Sequence, residues 1–211
     1  MNATNLKKRL ALEYQVYKEF YRKYIFSVLI LGLMTAAVFF LASFYFKDFI
    51  VQQTNSIAEQ MINGSMEEPT SLQKLFSIFF NNLLVGAIII LIGFIPVYGL
   101  PFLLGLFSFA SVGILAGYGI IMKHNVLHTL AIAFVPHAVI EIIPILYSIA
   151  IGMYINRNMV KKVLFRKKKS EKAGKMATQG FTSFTMIIIP LFLLAALVEA
   201  FITARLVEIF L

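Results

Sequence analysis

Along the chain, long apolar blocks alternate with shorter polar stretches. The blocks cover residues 24–46, 75–97, 102–122, 129–155 and 182–211. At about 1.5 Å per helical residue, each is long enough to cross hydrocarbon roughly 30 Å thick. The pattern predicts an all-α polytopic membrane helix bundle of about five transmembrane helices. Residues 25–211 form a single transmembrane domain in this reading.

The polar stretches divide the blocks. Residues 1–24 carry Lys7, Lys8, Arg9, Lys18, Arg22 and Lys23, with Leu10, Tyr14, Tyr17 and Tyr21 at spacings of three and four. This fits an amphipathic helix on the cytoplasmic membrane face, its tyrosines at headgroup level. A solvated extension of the first span fits it equally. A secretory signal peptide does not, because the basic region is too long and no small-residue cleavage site follows. Residues 47–73 read as a polar, acid-rich loop with Asp48, Glu59, Glu67 and Glu68, a turn at Asn63-Gly64, and Pro69 ahead of the second span. Pro96 to Pro101 form a tight uncharged turn, and residues 123–128, with His124 and His128, a short connector. The third span holds Gly113-x-x-x-Gly117, a spacing that lets helices approach closely. Packing inside the bundle explains it better than a specific dimer.

Composition and charge refine this picture. The chain is 60% hydrophobic and 14% charged, with a mean hydropathy of +0.84. A soluble domain carries about 25% charge, so this one cannot solvate its surface. Cysteine is absent, which excludes disulfides and thiol chemistry. The net charge of +9 does not point to nucleic acid, because most of the 19 Lys and Arg lie in residues 1–24 and 156–180, beside apolar spans. Placed there they are topology signals and put both segments in the cytoplasm. An even number of crossings must separate them, and four do. The 47–73 loop and the C-terminus are then extracytoplasmic. Membrane lipids are expected partners, and the 156–180 block suits anionic lipid in a general way.

The candidate chemistry lies in the fourth block, where Phe134-Val135-Pro136-His137-Ala138-Val139-Ile140-Glu141-Ile142-Ile143-Pro144 interrupts an apolar run. Proline frees backbone carbonyls that lipid cannot satisfy. An ionisable group at membrane depth costs at least about 2.5 kcal/mol unless paired or hydrated. His137 and Glu141, four residues apart, share a helix face. A kink or break is expected at Pro136, with Pro144 as a second irregularity. Counting about 1.5 Å per residue from the ends of each span puts Asn81, Asn82, His137 and Glu199 at similar depth, with Glu141 slightly below. These five are expected to converge inside the bundle. Three roles stay open: a polar clasp that fixes packing, the lining of an aqueous cleft for transport or ligand binding, and a metal or catalytic site. Catalytic zinc needs three protein ligands, and neither a His-Glu-x-x-His motif nor a Gly-x-Ser-x-Gly elbow is present. No metal, cofactor or catalytic residue is assigned.

Pro136-His137-Ala138-Val139-Ile140-Glu141, followed by an apolar helix, resembles the signature of the stage II sporulation protein M family, in which Pro-His-Gly-x-x-Glu is usual. Phe79-Phe80-Asn81-Asn82 and the glycines Gly105, Gly113 and Gly117 look similar to the upstream pattern. The resemblance covers roughly residues 20–211. Ala138 stands where glycine is usual, which questions any need there for positive φ. The resemblance implies a multi-spanning bacterial or archaeal inner-membrane protein. The sporulation member acts with cell-wall hydrolases as an anchor or scaffold, and relatives accompany bacteriocin secretion and immunity.

The function expected is therefore that of a non-enzymatic membrane scaffold or accessory subunit that recruits membrane or cell-wall-associated proteins. The rival is a small transporter, or an export or immunity component, using a cleft around His137 and Glu141. Partner identity and oligomeric state stay open.

Overall fold

The computed structural model describes residues 3–64, 70–123, 125–164 and 172–210, and all secondary structure among them is helical. Glu67, Glu68, Pro69, His124, four cations of the 156–180 segment (Arg166, Lys167, Lys168 and Lys169) and Glu171 lie outside the described residues.

The helices are α1 (Ala3–Val16), α2 (Arg22–Tyr45), α3 (Lys47–Gly64), α4 (Ser71–Ile92), α5 (Leu100–Ile121), α6 (Val126–Thr129), α7 (Val135–Val163), α8 (Ala173–Ser183), α9 (Ile189–Leu197) and α10 (Ala204–Phe210). Four π-helical turns join some of them end to end: π1 (Tyr17–Tyr21), π2 (Leu130–Phe134), π3 (Phe184–Ile188) and π4 (Val198–Thr203). Five continuous helical stretches result that are long and apolar enough to cross a membrane: Lys7–Tyr45, Ser71–Ile92, Leu100–Ile121, Leu127–Val163 and Ala173–Phe210. Many large apolar side chains on them are exposed, among them Leu33, Phe80, Leu91, Phe107 and Val139. Water would penalise such surface and lipid does not.

Local chemistry sets the helix ends. Thr70 and Gln73 form a capping box ahead of α4: Gln73 N–H donates to Thr70 Oγ1 at 3.3 Å, and Thr70 N–H to Gln73 Oε1 at 2.8 Å. Gly99, at φ +86°, makes the turn into α5, and Pro101 sits in that helix's first turn, where its missing N–H costs nothing. Lys123, also at positive φ, ends α5.

The structure corrects several boundaries. Residues 47–64 are helical rather than loop, and α3 ends at Gly64, within the expected turn. The basic 156–180 stretch loses its first eight residues to the end of α7 and its last eight to α8. At Pro136 the chain does not break. Instead π2 ends two residues before it, with Val135 N–H donating to Leu130 O, and α7 continues through Pro144. A turn already in wider hydrogen-bond register takes up the irregularity that proline imposes. Ala138 lies within α7 and has no positive φ, so no glycine is needed there.

The chain forms two compact units, and the boundary falls inside α2, α4, α5, α7 and α9. Unit 1 contains residues 1–30, 82–105 and 141–193. Its interior holds Ile149, Ile151, Ile155, Ile188 and Phe192. Backbones touch in it: a Cβ on Gly93 would lie 2.5 Å from the Gly152 carbonyl, and one on Gly152 2.7 Å from that of Ile89. Asn156, fully buried, holds the turn before α5. Its Nδ2 donates to Ile95 O at 2.7 Å and Val97 O at 3.0 Å, and its Oδ1 accepts from Gly99 N–H at 3.0 Å. The Gly99 N–H would otherwise be unpaired at this helix junction, whereas the Ile95 and Val97 carbonyls already accept from Val97 N–H and Leu100 N–H and gain a second bond.

Unit 2 contains residues 31–81, 106–140 and 194–211. Gly113 and Gly117 of α5 face α2: a Cβ on Gly113 would strike the Ala36 carbonyl, and one on Gly117 the Ser43 side chain. Tyr118 Oη donates to Asn55 Oδ1 at 2.7 Å, tying α3 to α5. Leu75 packs on Ala196 and Ala200, flanked by Ile78 and Phe79.

Candidate functional site

Unit 2 places His137, Glu199 and Thr203 together. His137 leaves the first turns of α7 just after π2, and π4 carries both Glu199 and Thr203. The two π turns lie against each other, and α10 packs on π2. A π turn carries one residue more than the α turn it replaces, so it rotates the following side chains and loosens the local ladder. Such turns therefore redirect a side chain inward without ending the helix.

His137 is buried, with 8% of its surface exposed, and Thr203 with 4%. Their Nδ1 and Oγ1 lie 3.5 Å apart, the outer limit of a hydrogen bond. The hydroxyl can donate to a bare ring nitrogen or accept from a protonated one. The Phe134 ring meets the imidazole edge-on at 5.7 Å and fixes its plane. Glu199 is half-buried and offers a carboxylate oxygen within 4.8 Å of a His137 ring nitrogen. Glu141 stands one turn beyond His137 on α7, half-buried, and helix continuity puts it on the same face. A histidine beside carboxylates in a low-dielectric setting can pass a proton, hold a cation or clamp two helices.

The other residues expected to converge here behave differently. Asn81 is exposed, midway along α4, and does not join a buried cluster. Counting residues along the span gives it the right level, but depth does not fix which way a side chain faces. Asn82, half-buried, belongs to unit 1. His128 is exposed beside the cap that Asn125 Oδ1 makes with its N–H.

Unit 1 contains a second polar cluster, which the hydrophobic pattern does not predict. Glu13 is only 6% exposed, and Ser183 Oγ donates to its Oε2 at 2.6 Å. Tyr21 is fully buried, its ring edge-on to Tyr147 at 5.7 Å, and Tyr147 stacks on Tyr17 at 5.9 Å. Glu13, Tyr17 and Tyr147 line a cavity of about 470 Å³ whose remaining walls include Leu10, Ile143 and Ile187. The N-terminal helix runs straight into the first span and turns Glu13 and Tyr21 inward. That favours the extension over a helix lying flat, and it moves Tyr17 and Tyr21 from the headgroups to a packed interior. Glu13 is hidden in the sequence by its basic neighbours. The one available signal is its spacing of eight residues from Tyr21, which puts both on one helix face.

No curated protein and no solved structure matches the chain. A comparison at the level of families matches residues 25–204 to the stage II sporulation protein M family, a stretch that takes in Asn81, Asn82, the Pro136–Glu141 signature and Glu199. With most of its length matched, the chain belongs to the stage II sporulation protein M family.

Proposed function

We propose that this chain is an integral membrane scaffold or accessory subunit that recruits or anchors partner proteins and performs no catalysis itself. In this reading the N-terminus and the basic segment after α7 are cytoplasmic, and α3 and the C-terminus lie on the other side. Asn81 carries the proposal. It is exposed ten residues into the 22-residue α4, between the exposed Phe80 and Leu84. Lipid cannot satisfy an amide there, whereas a neighbouring transmembrane helix can, at a gain of about 0.6–2 kcal/mol per bond. The family to which the chain belongs, with its sporulation-type membrane role, supports the same reading. Asn81→Leu should insert and melt like the parent while losing most co-purifying membrane protein. An unchanged set of co-purifying proteins would remove the scaffold assignment from α4.

A second reading, a small transporter or an export or immunity component, including one for bacteriocins, is supported by the half-buried carboxylates beside His137. Glu141→Gln should then stop transport at normal protein abundance. A fall in abundance or melting temperature instead would favour a purely structural clasp. Stoichiometric zinc in purified protein would redirect both readings toward a metal site at His137 and Glu199.

A further inference from the structure

A polar cavity of about 310 Å³ in unit 1 has a composition unlike the rest of the bundle. Lys23, Arg157 and Lys161 line it, opposed by Glu19 alone among its acids, which leaves a surplus of two positive charges. We propose that this cavity binds the phosphate of an anionic glycerophospholipid.

Three observations place the ligand there. First, two of the cations gather at one tyrosine, Tyr24. Arg157 Nη1 lies 3.5 Å from Tyr24 Oη, and Lys23 Nζ lies 5.3 Å from the centre of the Tyr24 ring. A planar guanidinium flanked by an ammonium and a phenol matches the oxygens of a phosphodiester, with Arg157 as the bidentate donor. Second, the level is that of a headgroup. Tyr24 opens the apolar run of α2, and Asn156-Arg157 closes that of α7, so the cavity lies where hydrocarbon gives way to water. Third, one wall is apolar. The Phe20 and Tyr154 rings meet at 4.8 Å beside the charged groups and provide a surface for the glycerol and the first methylenes of an acyl chain. The side-chain amide of Asn158 is committed to Tyr154 O at 2.9 Å, which holds this wall in place.

A solvated basic rim would also attract anionic lipid, but only through its total charge. Lys162 separates the two cases. It follows Lys161 on α7, is exposed, and does not line the cavity. The test is native mass spectrometry of the delipidated full-length protein in detergent, titrated with phosphatidylglycerol or with phosphatidylcholine of the same chains. The parent should retain phosphatidylglycerol preferentially. Arg157→Gln and Lys161→Gln should each weaken its retention about fivefold or more, and Lys162→Gln by less than about twofold. Equal losses in all three variants, or equal retention of the two lipids by the parent, would overturn the proposal. If glycerol 3-phosphate at equal concentration protects the parent against thermal unfolding as well as the lipid does, the lipid source is overturned in favour of a soluble phosphate. Arg157→Lys keeps the charge and loses the fork. It should recover only part of the retention even if Arg157→Gln fails to fold, and full recovery would overturn the bidentate contact.

Discussion

The two polar clusters, one in each unit, are built from similar parts and end up different. One joins a carboxylate and the other an imidazole to a hydroxyl on another helical segment, and each is bordered by two π turns: π1 and π3 near Glu13 and Ser183, π2 and π4 near His137 and Thr203. In unit 1 the carboxylate is buried and its hydrogen bond is short. In unit 2 the Glu199 carboxylate is half-buried and the hydroxyl contact of His137 is at its outer limit. A closed, short contact spends its hydrogen-bonding capacity on holding helices together. An open, long one keeps capacity for a proton, a cation or a partner. From this difference we infer that the structural clasp lies in unit 1.

Asn156 supplies a yardstick for what a closed polar contact is worth in unit 1. Asn156→Leu strands the Gly99 N–H and removes a hydrogen bond each from the Ile95 and Val97 carbonyls, and should cost about 3 kcal/mol, since an unpaired buried group costs about 1–3 kcal/mol and a lost hydrogen bond about 1 kcal/mol. Thermal unfolding in detergent should then fall by roughly 6 °C or more. Ser183→Ala comes next. It leaves Glu13 without its donor and should cost about 2 kcal/mol, the value for a hydrogen bond to a charged group. Thr203→Val should cost the least, below about 1 kcal/mol, because the contact it removes is already at its limit. A Thr203→Val loss equal to that of Ser183→Ala would erase the distinction between the clusters. A Ser183→Ala protein as stable as the parent would move the clasp elsewhere.

The sequence marks unit 2's site and hides unit 1's for one physical reason. His137 and Glu141 stand in an apolar run where any polar group needs an explanation, so the pattern exposes them. Glu13 and Ser183 lie among charged and small polar residues, and only the burial of that helix face gives them meaning. Apolar block length is sufficient for five spans, because bilayer thickness converts directly into residue count. It cannot reveal that α1 continues into α2, or that α8 continues into α9, since polarity and not helicity changes at those points. Asn81 shows the limit from the other side. Its depth is readable from position, whereas its outward direction depends on how α4 is rotated about its own axis, which span length does not fix.

Those π turns also set the phase of the helical residues beyond them. Each residue advances an α-helix by about 100°. Returning Leu130–Phe134 to ordinary α pitch without removing a residue would swing Pro136, His137 and Glu141 together by about a quarter of a circle, leaving the helix intact and every side chain present, whereas deleting one residue there as well would keep them nearly in place. The extra residue of this turn therefore works as an address: without the wide turn the same side chains would be delivered to a different neighbour, with Thr203 and Glu199 left behind.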